Sequence, residues 1–425
     1  MKIIVVGGGI AGPLVALALE RLGLDITVFE AVARPKPLGV GINLLPHAAK
    51  ELAALDLLEE VRRLGVETAD LSYYSKHGVL IWREPRGLAA GYRWPQISIH
   101  RGALQMFLLE KLRARLGSGA FRPGRVLVAF EETAAGRVRA EFTDRRGGEV
   151  VERAEADLLI ACDGIHSAVR ARLFPAEGPP VWNGAVLWRG TSRAAPFLSG
   201  RSMIMAGHER QKFVCYPIEE AGEDGRALLN WVAELRFSPD RPFRREDWNR
   251  EGRFEDFLPA FEGWRFSWLD VPEVIRAAER VWEYPMVDRD PLPRWSFGPV
   301  TLLGDAAHPM YPVGSNGVSQ ALLDVAELVR AIRRHGPTPR ALSAYEAVRR
   351  PATAALVAAN RQQGPERVMQ LVEERAPDGF EDLETVLPLA EREAIAAHYK
   401  RLAGFDPEGL NASPAGCDLS APLPE

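Results

Sequence analysis

The first thirty residues constrain the possible folds more than any other part of the chain. A β-branched run at residues 3–6 leads into a glycine-rich stretch at 7–12, an apolar segment follows, and a second apolar run ends on Glu30. This order predicts a buried parallel strand, a glycine turn, a helix and a second strand. The free N–H groups at the start of such a helix form a binding site for an anion.

Each glycine of the pattern Gly7-x-Gly9-x-x-Gly12 has a separate task. Gly7 permits the tight turn, Gly9 lets a pyrophosphate approach the backbone, and Gly12 lets the helix pack closely on the sheet. Glu30 lies 18 residues after Gly12, close to the spacing of about 20 expected for an acid that hydrogen-bonds a ribose. The segment therefore predicts binding of an adenine dinucleotide.

Two other interpretations of this segment are weaker. A secretory signal peptide needs an unbroken apolar core and a small-residue cleavage site, whereas three consecutive glycines interrupt this run. A purely structural turn does not require a strand, a helix and an acid at these spacings. We therefore expect a cytoplasmic protein.

Composition excludes several classes of function. A chain of 425 residues with 47% hydrophobic and 26% charged residues is typical of a soluble protein of two or three domains. The net charge of −4 gives no reason to expect nucleic acid or an anionic membrane as a partner. Three distant cysteines and eight scattered histidines argue against a disulfide framework and against a bound metal. No apolar run approaches the roughly 20 residues of a membrane helix.

A second strand end resembles the first. Residues 158–161 predict a buried strand, and Asp163-Gly164 predicts a tight turn just after it. An Asp-Gly pair on its own is a common turn. Its position at the carboxyl end of a strand, however, is where ligands of open α/β sheets bind.

A third strand end carries Gly304-Asp305 after an apolar run at 300–303. Asp305 is suited to accept a hydrogen bond from a sugar-alcohol hydroxyl. A glycine-rich loop at 312–317 then leads into a helix predicted over 318–332, whose N-terminus could stabilise negative charge on a reduced ring. Three glycine-marked strand ends from distant parts of the chain predict one extended ligand.

Together these motifs resemble those of the FAD-dependent aromatic hydroxylases with the para-hydroxybenzoate hydroxylase fold. The glycine fingerprint, Asp163-Gly164 and Gly304-Asp305 occur in the family's order and spacing, and the resemblance covers about residues 1–360. Within the family, five stretches are most similar to the phenazine hydroxylases that act on 5-methylphenazine-1-carboxylate. They are residues 38–43, 84–87, 98–102, 187–190 and 284–293.

The resemblance implies FAD as the cofactor and NADPH or NADH as co-substrate. The cofactor-binding positions it implies are Gly7, Gly9, Ala11, Gly12, Glu30, Gly41, Ile42, Arg101, Leu127, Asp163, Gly304, Asp305, Pro312, Gly314, Gly317 and Val318. Within this set, the resemblance implies that Arg101 reaches the cofactor, that the backbone of Leu127 meets the adenine, and that Asp305 binds the ribityl chain or the pyrophosphate. It also implies that Gly41 and Ile42, together with residues 312–318, flank the isoalloxazine ring of the flavin. The loop at 314–317 departs from the family's commoner G-x-G-x-N arrangement.

The predicted fold class is α/β, with a Rossmann-like FAD-binding domain interleaved with a mostly antiparallel β-sheet substrate domain, followed by C-terminal helices. The FAD-binding domain is expected at 1–67, 98–179 and 285–360, the substrate domain at 68–97 and 180–284, and the C-terminal helices and tail at 361–425. Pattern predicts strands at 213–218 and 228–235 and helices at 341–372 and 381–402, with a break at Gly364-Pro365. The tail at 406–425, with four prolines, is expected to be extended or loosely packed.

The segments assigned to the substrate domain are rich in aromatic residues and are expected to roof the flavin and shape a cavity. The candidates for its lining are Trp188, Met205, Tyr216 and Tyr284. Arg86, Arg189 and Arg210 could each bind a substrate carboxylate, and the sequence does not rank them. No catalytic acid–base pair stands out, and His308 is a candidate base that also suits a structural role.

The family's activity implies that NAD(P)H reduces FAD, that dioxygen is captured as a flavin hydroperoxide, and that one oxygen atom passes to a small aromatic substrate. The protein is expected to be a monomer or a homodimer. A salicylate-type hydroxylase of secondary metabolism and a non-catalytic flavin-binding sensor are alternatives. A flavin halogenase is disfavoured because W-x-W-x-I-P is absent, and a two-domain reductase because a second glycine fingerprint is absent.

Overall fold

A six-stranded sheet forms the centre of the molecule, whose computed structural model describes residues 1–144, 148–238 and 250–420. The order of its strands is Ser296–Phe297, Val300–Leu302, Leu158–Ala161, Lys2–Val6, Asp25–Glu30 and Phe121–Pro123. Neighbouring strands pair in parallel except for the antiparallel pair at the Ser296–Phe297 edge. The β-branched run of the first strand is buried, as expected for a parallel strand covered on both faces.

A seven-stranded sheet is built from the segments that sequence assigns to the substrate domain. Its order is Ala278–Asp288, Val181–Ala194, Ala227–Arg236, Gln211–Glu219, Ser202–His208, Asp70–Tyr74 and Leu80–Pro85. All neighbours are antiparallel except the parallel pair Ser202–His208 and Asp70–Tyr74. The two predicted strands and the α/β fold class are confirmed, whereas the domain boundaries stay a prediction.

Successive side chains of a strand point to opposite faces of the sheet. Both faces of this sheet are covered by other parts of the protein. One face, here called the inner face, packs Met203, Met205 and Tyr216 towards Tyr311 and Val313 of the glycine-rich loop region. The other, called the outer face, carries Trp188, Phe213, Trp231 and their neighbours under the helices Leu258–Phe261 and Val271–Arg276. Only the inner face therefore adjoins the segments that sequence assigns to a cofactor.

In the described part of the chain, the remaining strands form three small sheets. One has the order Val150–Ala156, Val138–Thr143 and Val126–Glu132, and another has the order Gly41–Leu44, Ile97–His100 and Gly65–Glu67. Arg265–Phe266 pairs with Leu269–Asp270.

Helices cover the central sheet and close the carboxyl-terminal part of the chain. The α-helices are Ala11–Glu20, Pro46–Ala54, Leu58–Arg63, Arg101–Leu116, Ala168–Leu173, Leu258–Phe261, Val271–Arg276, Gly317–His335, Pro339–Arg361, Arg367–Arg375, Leu383–Val386, Leu389–Leu402 and Pro407–Ala412. Short 3₁₀ turns lie at Gly87–Ala90, Ser118–Ala120, Phe254–Asp256, Gly304–Ala306, Val313–Ser315 and Gly364–Glu366. Among the described residues, none of these helices combines the length and the apolar character that crossing a membrane requires.

The C-terminal helices are more broken than sequence predicts. The expected break at Gly364-Pro365 separates Pro339–Arg361 from Arg367–Arg375. The region expected as one helix over 381–402 is two helices, Leu383–Val386 and Leu389–Leu402, divided at Pro388. Proline lacks the N–H that a continuous helix needs.

The prediction of a loosely packed tail is wrong for residues 406–420. Pro407–Ala412 is helical, and Lys50 Nζ donates to the carbonyl of Leu410 at 3.0 Å. The carboxylate of Glu51 accepts from the amides of Gly416 at 3.0 Å and Cys417 at 2.8 Å. Buried acceptors and donors on the helix Pro46–Ala54 therefore fix the tail, while residues 421–425 lie outside the described part of the chain.

Candidate active site

The glycine fingerprint has the close approaches that its pattern predicts. Gly7 has φ +109°, and a Cβ there would lie 2.3 Å from the carbonyl oxygen of Cys162. A Cβ on Gly12 would lie 1.9 Å from the carbonyl oxygen of Gly7. A Cβ on Gly9 would meet no protein atom within 4 Å. Gly7 and Gly12 are thus required by packing, whereas Gly9 faces open space that a ligand can occupy.

The helix Ala11–Glu20 starts at this open space without a side-chain cap. Its first N–H groups therefore remain available to a bound anion such as a pyrophosphate. Glu30 lies beside them, and its carboxylate accepts from the amides of Gly8 and Val32, both at 2.6 Å. These bonds orient the acid and leave lone pairs for a ribose hydroxyl.

The structure brings the three predicted strand ends together. A Cβ on Gly304 would lie 3.6 Å from Cβ of Ala11, so the third motif touches the first. Arg170, which is 1% exposed, donates to the carbonyls of Ala306 at 3.1 Å and Ala307 at 2.9 Å. Arg170 thus ties the Asp163 turn to the Gly304 turn, a role that sequence analysis missed because a buried arginine has no local pattern.

Asp163 serves the fold with one oxygen and leaves the other open. Its Oδ2 accepts from the amides of Ala168 at 2.8 Å and Val169 at 3.3 Å, at the start of the helix Ala168–Leu173. Its Oδ1 is buried and has no hydrogen-bond partner among the described residues. Burial raises the pKa of this carboxyl, and the bonds from Ser167 and the amides act against that rise.

Asp305 and Arg101 face the same cleft. Asp305 is exposed to solvent and makes no hydrogen bond within the described residues. Desolvation by the surrounding protein raises the pKa of its carboxyl, while His308 and Arg101 act to lower it. Arg101 begins the helix Arg101–Leu116, with an exposed side chain. Both groups are therefore accessible to a ligand in the cleft, in keeping with the role the resemblance implies.

The loop that contains Pro312, Gly314, Gly317 and Val318 is braced by the C-terminal helices. Gly314 has φ +67°, and a Cβ there would lie 2.2 Å from the Tyr399 hydroxyl. That hydroxyl lies 3.1 Å from the carbonyl oxygen of Val313 and accepts from Nδ2 of Asn316 at 3.1 Å. No sequence motif points to Tyr399, because its role depends on long-range packing.

The helix that follows this loop also starts without a side-chain cap. It runs over Gly317–His335 and so begins one residue before the start of the helix predicted over 318–332. A Cβ on Gly317 would meet no protein atom within 4 Å. Pro312 is exposed and Val318 half-buried. The helix start therefore opens onto free space, as at Gly9.

Gly41 is held by two side chains from the inner face. Its amide donates to Asn230 Oδ1 at 2.6 Å, and its carbonyl accepts from Arg189 Nη2 at 2.9 Å. A Cβ on Gly41 would lie 2.7 Å from Cβ of Asn230. Ile42, the next residue, is half-buried. The strand Gly41–Leu44 is thereby fixed to the substrate sheet.

Leu127 lies in a segment of the chain that contacts Glu30. It is 7% exposed in the strand Val126–Glu132. Two residues before it, the amide of Arg125 donates to the carbonyl of Glu30 at 2.8 Å. Leu127 therefore lies near the acid assigned to the ribose, where an adenine ring would be expected.

His308 belongs to a buried charge cluster rather than to the open cleft. Its Nε2 lies 2.5 Å from Oδ2 of Asp324, which also accepts from the amide of Gly304 at 3.0 Å. Arg349 Nε donates to the other oxygen of Asp324 at 2.7 Å. Burial acts to raise the pKa of Asp324, but His308 and Arg349 outweigh it and hold that pKa low. This geometry favours the structural role of His308 and positions the Gly304 turn.

Of the four candidates for the pocket lining, the structure brings three to the inner face. Met205 and Tyr216 pack there, and Tyr284, 9% exposed, has the strand parity of its inner-face neighbour Met286. Trp188 is a correction. It is 2% exposed on the outer face and stacks on Phe257 with 5.0 Å between ring centroids. Side chains alternate along the strand Val181–Ala194, so Leu187 lies on the inner face and Trp188 on the outer face. Trp188 therefore points away from the cofactor segments and does not line their pocket.

The three arginines that could bind a substrate carboxylate have different environments in the structure. Arg210 is exposed at the turn between Ser202–His208 and Gln211–Glu219. Arg189 is engaged with the Gly41 carbonyl. Arg86 is 7% exposed and is hydrogen-bonded to Glu84.

Comparison with known proteins tests what this site is. A family model described as an FAD binding domain matches residues 1–190 and 282–360. The chain belongs to this FAD-binding family. The match includes every residue assigned above to the cofactor, and the open space at Gly9, the uncapped helices and the unpaired Asp305 fit an extended anionic nucleotide.

Curated relatives agree with this assignment. The chain is 45% identical over 362 residues to the phenazine 1,6-dicarboxylic acid hydroxylase PhzS of Lysobacter antibioticus, covering 84% of this chain and 89% of that protein. It is 34% identical over 390 residues to a 3-amino-4-hydroxybenzoate 2-monooxygenase of Streptomyces cremeus, covering 90% and 89%. The predicted family is confirmed, and the chain is an FAD-dependent aromatic monooxygenase.

Solved structures share the fold over nearly the whole chain. A salicylate hydroxylase in a substrate complex has 22% identity and a TM-score of 0.73, covering 100% of this chain and 99% of that one. HpxO of Klebsiella pneumoniae with FAD and uric acid has 24% identity and a TM-score of 0.70, covering 100% and 98%. At this identity the likeness shows the fold alone.

Proposed function

We propose that this chain is an NAD(P)H-dependent FAD monooxygenase that hydroxylates an aromatic carboxylate of the phenazine type. The observation that carries the proposal is the 45% identity with a phenazine dicarboxylic acid hydroxylase over 84% of the chain. Hydroxylation at a ring carbon that bears a carboxylate would release carbon dioxide.

The cofactor would be held along the cleft that the three strand ends form. The amides at the start of Ala11–Glu20 would bind its pyrophosphate, and Glu30 its ribose. Asp305 would accept from hydroxyls of the ribityl chain, with Arg101 providing a positive charge nearby. When bound, FAD supplies electron transfer from NAD(P)H and the activation of dioxygen.

The inner face would position the aromatic ring and exclude water from it. Met205 supplies an adaptable apolar surface. Tyr216 lies near Arg189, and burial raises the pKa of Tyr216 to about 12. Tyr216 therefore stays protonated at neutral pH and acts as a hydrogen-bond donor, not as a base. The outcome is a largely apolar pocket with a few fixed polar groups, as small-molecule sites require.

A second substrate class follows from the other relatives. Proteins of 34% and 31% identity act, by their names, on 3-amino-4-hydroxybenzoate. A single-ring hydroxybenzoate is therefore the alternative to a phenazine. Both classes carry a carboxylate on an aromatic ring.

The test is oxidation of NADPH and of NADH by the FAD-loaded protein, with product analysis. The panel contains phenazine-1-carboxylate, phenazine-1,6-dicarboxylate, 3-amino-4-hydroxybenzoate and salicylate. We expect a phenazine carboxylate to stimulate oxidation most, with hydroxylated product equal to the NAD(P)H consumed. Preference for a single-ring acid would support the alternative class, and FAD binding without stimulation by any member would overturn the proposed substrate classes.

The variant Gly9→Val tests whether the reaction depends on a cofactor bound at the glycine fingerprint. Its side chain would enter open space, so the fold should persist, but it would fill the space assigned to the pyrophosphate. We expect a folded variant that neither retains FAD nor oxidises NAD(P)H. Full FAD retention in this variant would show that the pyrophosphate lies elsewhere.

A further inference from the structure

We propose that a cavity on the inner face of the seven-stranded sheet binds the carboxylate of the aromatic substrate through Arg86. The proposal rests on the function proposed above and adds the group that selects for an acid. The polar part of the cavity wall is formed by Tyr73, Glu84, Arg86, Gln96, Tyr399 and Lys400, and the rest of its lining is largely apolar. We call it the Arg86 cavity.

The Arg86 cavity adjoins the loop assigned to the flavin. Gly314 and Ser315 form part of its wall. Asn43 Nδ2 lies 3.3 Å from Ser315 Oγ and 3.7 Å from the sulfur of Met203. Asn43 is two residues beyond Gly41, so the wall of the cavity connects both flavin-flanking segments with the inner face. A ligand in the cavity would reach the place where chemistry is expected.

Apart from Oε2 of Glu84, which lies 2.6 Å from Lys400 Nζ, three buried polar atoms in the cavity wall have no hydrogen-bond partner within the described residues. They are the hydroxyl oxygen of Tyr73, Nε of Arg86 and Oε1 of Gln96, on side chains that are 1%, 7% and 2% exposed. Buried polar atoms are nearly always paired in native proteins, so a cluster of exceptions calls for a missing partner. Tyr73 Oη and Arg86 Nε are donors, which suit a carboxylate, whereas Gln96 Oε1 is an acceptor that a carboxylate does not satisfy.

The charge of the cavity also favours an anion. Both Arg86 and Lys400 contact the single carboxylate of Glu84, with Lys400 Nζ 2.6 Å from its Oε2. The wall therefore holds two cations and one anion. Burial raises the pKa of Tyr73 above its usual range, so its hydroxyl keeps the proton that it would donate.

A neighbouring cavity provides the contrast. Its lining includes Val313 and the charged residues Lys212, Arg236, Arg361, Glu209, Glu234 and Glu366. Its cations and anions are equal in number, and Lys212 lies 2.9 Å from Glu234 and 2.5 Å from Glu366. Its charges are compensated internally, whereas those of the Arg86 cavity leave one positive charge for a ligand.

The test is the difference in affinity between an acid and its uncharged parent. Binding of phenazine-1-carboxylate and of phenazine to the FAD-loaded protein is followed by the change in flavin absorbance. We expect the wild type to prefer the acid by at least about tenfold, since a hydrogen bond to a charged group has that effect or more. Arg86→Met should remove about tenfold of this preference and leave the affinity for phenazine within about twofold.

Two further variants keep the test decisive. Lys400→Met leaves the ion pair between Arg86 and Glu84 intact and removes the excess positive charge. It should therefore lower the affinity for phenazine-1-carboxylate by a few-fold. Arg210→Met, at an exposed turn, is the matched control and should change neither affinity. Thermal unfolding and retained FAD establish that each variant is folded. If Arg86→Met does not fold, Arg86→Lys, which keeps the charge but loses the guanidinium fork, takes its place with an expected partial loss.

The outcomes separate this proposal from the proposed function. An unchanged acid preference in a folded Arg86 variant, or a wild type that binds phenazine as tightly as the acid, would overturn the role of Arg86. Stimulated NAD(P)H oxidation would still stand in that case. Failure of every aromatic on the panel to stimulate the wild type would instead overturn the proposed function.

Discussion

The two faces of the seven-stranded sheet differ in how completely their side chains are partnered. On the outer face, aromatic rings stack, as Trp188 does on Phe257 at 5.0 Å between centroids. On the inner face, a buried polar atom without a hydrogen-bond partner among the described residues occurs in Tyr73, Trp82, Arg189, Asn230 and Arg236. On the outer face, Trp188 Nε1 is such an atom.

This difference separates stability from function within one sheet. The outer face is stabilised by burial of apolar area, about 25 cal/mol per Å². Each unsatisfied buried polar group on the inner face costs about 1–3 kcal/mol. A protein keeps such groups where a ligand completes their hydrogen bonds. Changes on the outer face should therefore lower stability, and changes on the inner face should lower activity.

The largest expected effect is on the outer face. Trp188→Ala removes a ring that is 2% exposed and stacked on Phe257, and it should lower the free energy of unfolding by about 3–5 kcal/mol. Urea denaturation of the FAD-loaded protein measures this loss. The substrate affinity of the folded fraction should stay within about twofold, because Trp188 points away from the cofactor segments.

Val181→Ala is the control for this prediction. Val181 lies on the same strand and is 42% exposed, so its loss should change the free energy of unfolding by no more than about 0.5 kcal/mol. A Trp188→Ala variant with normal stability and weakened substrate binding would contradict the assignment of the two faces.

A smaller effect on stability and a larger one on activity are expected from Arg189→Met on the inner face. The variant removes the hydrogen bond of 2.9 Å to the Gly41 carbonyl. A hydrogen bond to a charged group contributes about 1.5–3 kcal/mol, so kcat/KM should fall by roughly 10- to 100-fold. The loss of unfolding free energy should be below that of Trp188→Ala. Arg189→Lys should recover part of the activity, and equal activity of the Met variant and wild type would contradict a positioning role.

The cofactor part of this arrangement could be predicted from sequence because its signals are local. Gly7, Gly12 and Glu30 follow one another within a single strand–helix–strand unit, and their spacing reflects backbone contacts that only glycine permits. The strand ends at Asp163 and Gly304 are local in the same sense. Their meeting in space followed from the rule that ligands bind at the carboxyl ends of parallel strands.

The substrate side could not be predicted as well because its signals are long-range. Trp188 and Arg189 are neighbours in sequence, yet the alternation of a strand sends one to the outer face and the other to Gly41. Fixing that parity requires the pairing register, which depends on distant strands. Tyr399 is further still, because it braces the loop at Val313 from a helix 86 residues away.

The smallest effect on activity is expected from a change at Tyr216, which lies near Arg189 on the inner face. Tyr216→Phe keeps the ring and removes one donor, so kcat/KM should fall by about two- to tenfold, the value of one neutral hydrogen bond. The pH profile gives a second readout. Because burial raises the pKa of Tyr216 to about 12, the hydroxyl stays protonated below that pH, and the profiles of wild type and variant between pH 6 and 9 should have the same shape. A basic limb in this range that is present in the wild type and absent from the variant would identify Tyr216 as a titrating base, and the inner face would then supply a proton acceptor as well as fixed donors.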